Sequence, residues 1–165
     1  MFLAERQAMV ELLADDLAAA ERELRTRLEF ARESGELDHI SQAAARLASV
    51  PREMGHSNEA ASFARLGVQT APADGVVAQA LSRAALAGSA SDAREHREAE
   101  RLAHEAVALV PGEMLNLRAD VLVELAEVLR AGDKKQDAKD AMREAARLYA
   151  LKGNIVSAER LARLA

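Results

Sequence analysis

Asp120, Glu124 and Glu127 recur at spacings of four and three, which puts three carboxylates on one face of a helix. Glu113 and Asn116 extend that face, while Leu117, Val121, Leu125, Val128 and Leu129 hold the opposite one. A row of carboxylates can bind the guanidinium or ammonium groups of a basic segment; a solvated helix face carries the same pattern. His96, Glu100 and His104 fall on successive turns and could share a metal ion. Their row drifts from the apolar stripe toward solvent and no fourth ligand accompanies it, so surface residues are the simpler reading. Lys135, Lys139, Arg143 and Arg147 form a basic row flanked by Asp137, Asp140 and Glu144. With no aromatic side chains for base stacking nearby, it reads as a solvated face, not a nucleic-acid surface. No serine stands in a G-x-S-x-G setting with a His and an Asp to activate it, and the chain has no cysteine. Nucleophilic catalysis, disulfides and thiolate metal sites therefore have nothing to build on.

What must position these residues is a repeat. LAAAERELRTRLEF (17–30), SNEAASFARLGVQT (57–70), HREAERLAHEAVAL (96–109) and KQDAKDAMREAARL (135–148) align so that Ala20, Ala60, Ala99 and Ala138 coincide, at spacings of 40, 39 and 39 residues. A fixed period of that length signals stacked structural units, which present an extended concave surface and seldom carry chemistry of their own. Apolar residues recur at helical spacing, as at Ala99, Leu102, Ala103, Ala106, Leu109 and Val110 or at Ala138, Met142, Ala145, Ala146 and Tyr149. Half of the residues are hydrophobic but only 2% aromatic, so alanine-rich helices must approach closely. Alternating strand patterns are scarce. The fold class expected is all-α.

The net charge of −5 gives no general attraction to nucleic acid or to an anionic membrane. No apolar run is long enough to span a bilayer, and the first residues lack the basic-then-apolar pattern of a secretory leader. A cytoplasmic setting is expected. The punctuation predicts nine helices, as four pairs and a last half-pair, in units 1–35, 36–72, 73–111 and 112–152 with a terminal helix at 154–165. Pro51 falls inside the first helix of the second unit and predicts a kinked or short helix. Gly88-Ser89-Ala90-Ser91 reads as a loop, with Asp92 and Glu95 as a capping box after it and Asp133 and Gln136 as a second one.

The pattern resembles the tetratricopeptide repeat (TPR). That family has a small residue in the middle of the first helix of each unit, an alanine early in the second, and often a proline after it. Ala8, Ala48, Ala87 and Ala126 meet the first position; Ala20, Ala60, Ala99 and Ala138 meet the second; Pro72 and Pro111 meet the third. The resemblance covers nearly the whole chain. The period here is longer than the family's, and its Trp and most of its Tyr positions are unfilled. It implies a right-handed helical-hairpin solenoid whose first helices line a concave groove, so that Asp120, Glu124 and Glu127 would form an acidic strip there. The family's clamp for acidic C-terminal peptides is not matched, because Glu124 stands where it requires Asn. Residues 115–164 are also similar to the terminal repeats of bacterial signalling proteins that carry an ATPase or nucleotidyl-cyclase module, although neither a P-loop nor cyclase metal carboxylates are present.

The expectation is thus a non-catalytic, cofactor-free and metal-free scaffold or regulatory module that binds a protein or peptide through Asp120, Glu124 and Glu127, with neither nucleic acid nor membrane as partner. The alternative is a detached regulatory repeat region of a bacterial nucleotide-dependent protein. Phe2, Leu3, Met9, Val10, Leu12 and Leu13 would give it an apolar N-terminal edge suited to self-association.

Overall fold

The computed structural model describes residues 16–163. Among them the chain is all helical: α1 (Leu17–Ser34), α2 (Leu37–Leu47), α3 (Ser49–Glu53), α4 (Ser57–Thr70), α5 (Val76–Asp92), α6 (His96–Leu109), α7 (Leu115–Ala131), α8 (Lys135–Lys152) and α9 (Ile155–Ala162). The helix expected ahead of α1, and the apolar N-terminal edge at residues 2–13, lie outside the described residues.

Helices pair as the alanine register requires. Ala20, Ala60 and Ala99 are fully buried and Ala138 nearly so; Ala48, Ala87 and Ala126, twelve residues before the last three, are buried as well. Two small residues facing each other let backbones come close, and larger neighbours fill the flanks. Leu24, Leu28, Leu47 and Val50 close the N-terminal part of the core. Leu122, Leu125, Leu129, Met142, Leu148 and Tyr149 close the C-terminal part. Each buried leucine or valine of this kind contributes roughly 1.5–3 kcal/mol through the apolar surface it removes from water.

Packing between units is asymmetric. The first helices stack on one another, α2 and α3 on α5 and α5 on α7, whereas α4 and α6, or α6 and α8, do not meet. The helices α2, α3, α5 and α7 thus form one continuously packed layer, the inner layer. Gly67 of α4 lies close against α5. A Cβ there would lie 2.2 Å from Ser82 Oγ on α5, and Ser82 is fully buried with no hydrogen-bond partner for its hydroxyl among the described residues.

The turn inside each pair repeats with the period. Gly55, Arg94 and Asp133, 39 residues apart, all have positive φ (84°, 63° and 62°). The next amide in each case reaches back to a carbonyl five residues earlier: His56 to Pro51, Glu95 to Ala90 and Lys134 to Leu129. These six-residue closures satisfy the last carbonyls of the first helix and turn the chain sharply into the second.

Two expectations are corrected here. Gly88 to Ser91 is not a loop: α5 runs unbroken to Asp92, because Ala84, Ala85 and Ala87 are buried in its packing and hold the glycine in register. The two capping boxes do not form. Asp92 is the last residue of α5, and the N-cap residues Glu95 and Lys134 make no side-chain cap bond. The second unit's first helix is divided as Pro51 predicts. It breaks at Ala48, and Pro51 sits in the first turn of α3, where a missing N–H costs little.

Candidate functional site

The residues of the acidic strip lie on α7. Glu113 does not: it falls in the turn before the helix begins at Leu115. Subtracting the 39-residue period from Glu124 and Glu127 lands on Ala85 and Gly88 of α5, and subtracting it again lands on Arg46 and Ser49. The middle inner helix therefore offers only small side chains at the level where its neighbours carry charge. Side chains from α3 and α7 meet across it.

Arg52 of α3 makes that crossing. Its Nη1 donates to both oxygens of Glu124, at 2.8 and 2.9 Å, and its Nε donates to Asp92 Oδ2 at 3.2 Å. Nη2 lies 3.7 Å from Glu127 Oε2. The guanidinium rests face-on over Gly88: a Cβ there would be 2.4 Å from Cζ and 2.5 Å from both Nε and Nη1, distances similar enough to put it above the plane. Asp92 Oδ2 also accepts from Ser57 Oγ at 2.5 Å. Beside it lies an open depression of about 640 Å³, between the Gly55–Ser57 turn and the end of α5.

The electrostatics follow from burial. Only 17% of the Glu124 side chain and 20% of that of Arg52 are exposed. Loss of water drives the Glu124 carboxyl up to about 7; Arg52 opposes this, and the negative charges of Glu127 and Asp92 reinforce it. Burial works against the charge of Arg52, but Glu124, Asp92 and Glu127 together outweigh it and hold its pKa above the ordinary arginine value.

Asp120 stands one turn before Glu124 and accepts from Tyr149 Oη of α8 at 2.5 Å. It is exposed to solvent, yet neighbouring atoms strip enough water from its carboxyl to raise its pKa. The Tyr149 bond and the positive charge of Arg46 pull the other way. Tyr149 is itself raised, first by burial and then by the charge of Asp120. The three strip residues thus share a face, but each carboxylate already has a partner within 4 Å. Arg52, Asp92 and Gly88 complete the cluster and lie outside the acidic strip. The 39-residue period puts Gly88 level with Glu127, but no spacing in the sequence points to Arg52 or Asp92.

The other candidates are surface features. Glu100 bonds Lys134 Nζ at 2.5 Å and lies 3.8 Å from His104 Nε2, while His96 and His104 are exposed. Among the described residues no three His, Asp or Glu side chains come together as a metal would require. In the basic row, Arg143 pairs with Asp140 and Arg147 with Glu144 at 2.8 Å. No described helix is long and apolar enough to cross a membrane.

No protein-family model matches the chain, and no curated protein matches it. Among solved structures it is similar to the crystal structure of MamA, with a TM-score of 0.51 and 15% identity over 94% of this chain and 88% of that one. At that identity the likeness concerns the fold alone. MamA is a TPR-like protein, and the chain described here has the same kind of fold, an all-α tetratricopeptide-like repeat solenoid.

Proposed function

We propose that this protein is a non-catalytic protein–protein interaction module that takes an extended basic segment of its partner along the inner face of α7. The observation that carries the reading is the Arg52 guanidinium seated between Asp92, Glu124 and Glu127, a ready-made example of the group such a groove accepts. The groove keeps an acidic surplus near neutral pH: Asp92, Asp120 and Glu127, with Glu124 about half ionised, against Arg46 and Arg52. Complementary charge of this kind steers association and selects the sign of the partner. The inner helices are packed on one another, which gives the groove a shape fixed before binding and lowers the ordering cost on the protein's side.

Fluorescence anisotropy with labelled octapeptides tests this. An alternating Gly–Arg or Gly–Lys peptide binds the wild type, and an alternating Gly–Glu peptide does not. Asp120→Asn combined with Glu127→Gln weakens the basic peptides about tenfold, since two charges are lost from the rim, while the circular dichroism spectrum is unchanged. Equal binding by wild type and variant would remove α7 as the binding face.

A further inference from the structure

We infer that Arg52 is a latch: an intramolecular stand-in that occupies a seat shaped for guanidinium, and that an arginine of the partner must displace to bind there. The inference rests on the groove reading above and deepens it, from a basic segment to one that presents arginine.

Three features of the seat argue for it. The first is shape. Gly88 leaves bare backbone beneath the guanidinium plane, and any side chain at that position would project into it. A planar cation can lie on such a bed and donate from its edges; a tetrahedral ammonium cannot do both. The second is the arrangement of acceptors. Glu124, Asp92 and Glu127 lie around the rim of one guanidinium, facing Nη1, Nε and Nη2 respectively. All three nitrogens are addressed, and three carboxylates surround one positive charge.

The third is how Arg52 arrives. It comes from α3, a five-residue helix set off from α2 at Ala48, and it crosses α5 to a residue 72 positions away. The element that delivers the guanidinium is a single short turn held in place by Ala48, Val50 and Pro51, all fully buried. Release is therefore a rotation of the long Arg52 side chain alone, with α3 staying packed. The seat stays intact when Arg52 leaves, because Gly88, Asp92, Glu124 and Glu127 belong to α5 and α7, which pack directly on each other.

The test compares wild type, Arg52→Ala, Arg52→Lys and each of these combined with Gly88→Ala, using the Gly–Arg and Gly–Lys octapeptides. Arg52→Ala binds the Gly–Arg peptide about tenfold tighter than wild type and the Gly–Lys peptide little differently, because only guanidinium fits the vacated seat. Arg52→Lys, which keeps the charge and so guards against a failure to fold, gains severalfold for the same peptide. Adding Gly88→Ala puts a methyl group into the seat and cancels the gain in both backgrounds. As a second readout, methylguanidinium raises the melting temperature of Arg52→Ala by several degrees, and methylammonium does not. If neither substitution at Arg52 tightens the Gly–Arg peptide, or if Gly–Lys gains equally, the latch is overturned; the groove reading stands as long as wild-type binding still depends on Asp120 and Glu127. If no variant binds either basic peptide, both fall.

Discussion

Arg52 Nη1 lies 2.8 Å from Glu124 Oε1, joining inner helices of two units that are separated by a third. The pair is mostly shielded from water, and its desolvation outweighs its attraction: Glu124 is pushed up to about 7 in spite of the guanidinium beside it.

A pH dependence follows. The folded Glu124 holds its proton to higher pH than the unfolded one, whose pKa is near 4.3. Its contribution to stability is therefore fully present below about pH 4.3 and is lost as pH rises through about 7. Asp120, also raised, acts in the same direction. The melting temperature should fall by a few degrees between pH 5 and pH 8, and Glu124→Gln should flatten most of that slope. A wild-type melting temperature that rises over this range contradicts the assignment.

Tyr149→Phe removes the donor to Asp120 while leaving the buried ring in place. A hydrogen bond to a charged acceptor is worth about 1.5–3 kcal/mol, and the open edge of Asp120 reduces this to about 1–2 kcal/mol. Urea unfolding measures the loss, and a change within error would mean that water replaces the phenol without cost.

Ser82 is the opposite case, a fully buried hydroxyl against Gly67 with no partner among the described residues. Ser82→Ala removes an unpaired polar group and substitutes a better helix former, so it should stabilise the fold by about 0.5–1 kcal/mol. Loss of stability instead would reveal a bond from that hydroxyl.

Arg94 and Asp133 hold the left-handed turn conformation that Gly55 adopts at the equivalent position. A side chain costs about 1 kcal/mol there. Arg94→Gly should recover up to about 1 kcal/mol, read as a rise in melting temperature. Its partner in the comparison is Gly55→Ala, which should lower the melting temperature by a similar amount.

Ala99→Leu should overpack the contact made by a fully buried alanine and cost about 1–3 kcal/mol. A thermal melt unchanged from wild type would mean that the stack separates there without penalty, and the alanine register would lose its structural meaning.

The fold was legible because its cause is local and repeated. Ala20, Ala60, Ala99 and Ala138 announce themselves by period, and they are buried because each must admit a neighbouring helix. The split helix at Pro51 was legible for the same reason, since proline acts on its own backbone. Gly88 to Ser91 misled because glycine and serine favour loops by intrinsic preference, about 1 kcal/mol for the glycine and less for each serine, whereas the packing of α5 overrides that preference. The acidic strip was half legible: helical spacing puts Asp120, Glu124 and Glu127 on one face, but it carries no information about what stands opposite.

By itself, then, the sequence determined the helical class, the pairing of helices and the small residues at their contacts, since these depend on spacings within one or two units. The tertiary structure decided that Arg52 reaches Glu124. That contact depends on α3 and α7 both packing on α5, and on two small residues, Ala85 and Gly88, lying in the path between them. The packing of one unit on the next is a property of the assembled layer, so a pairing that it creates across 72 residues has no signature in the spacing of either partner.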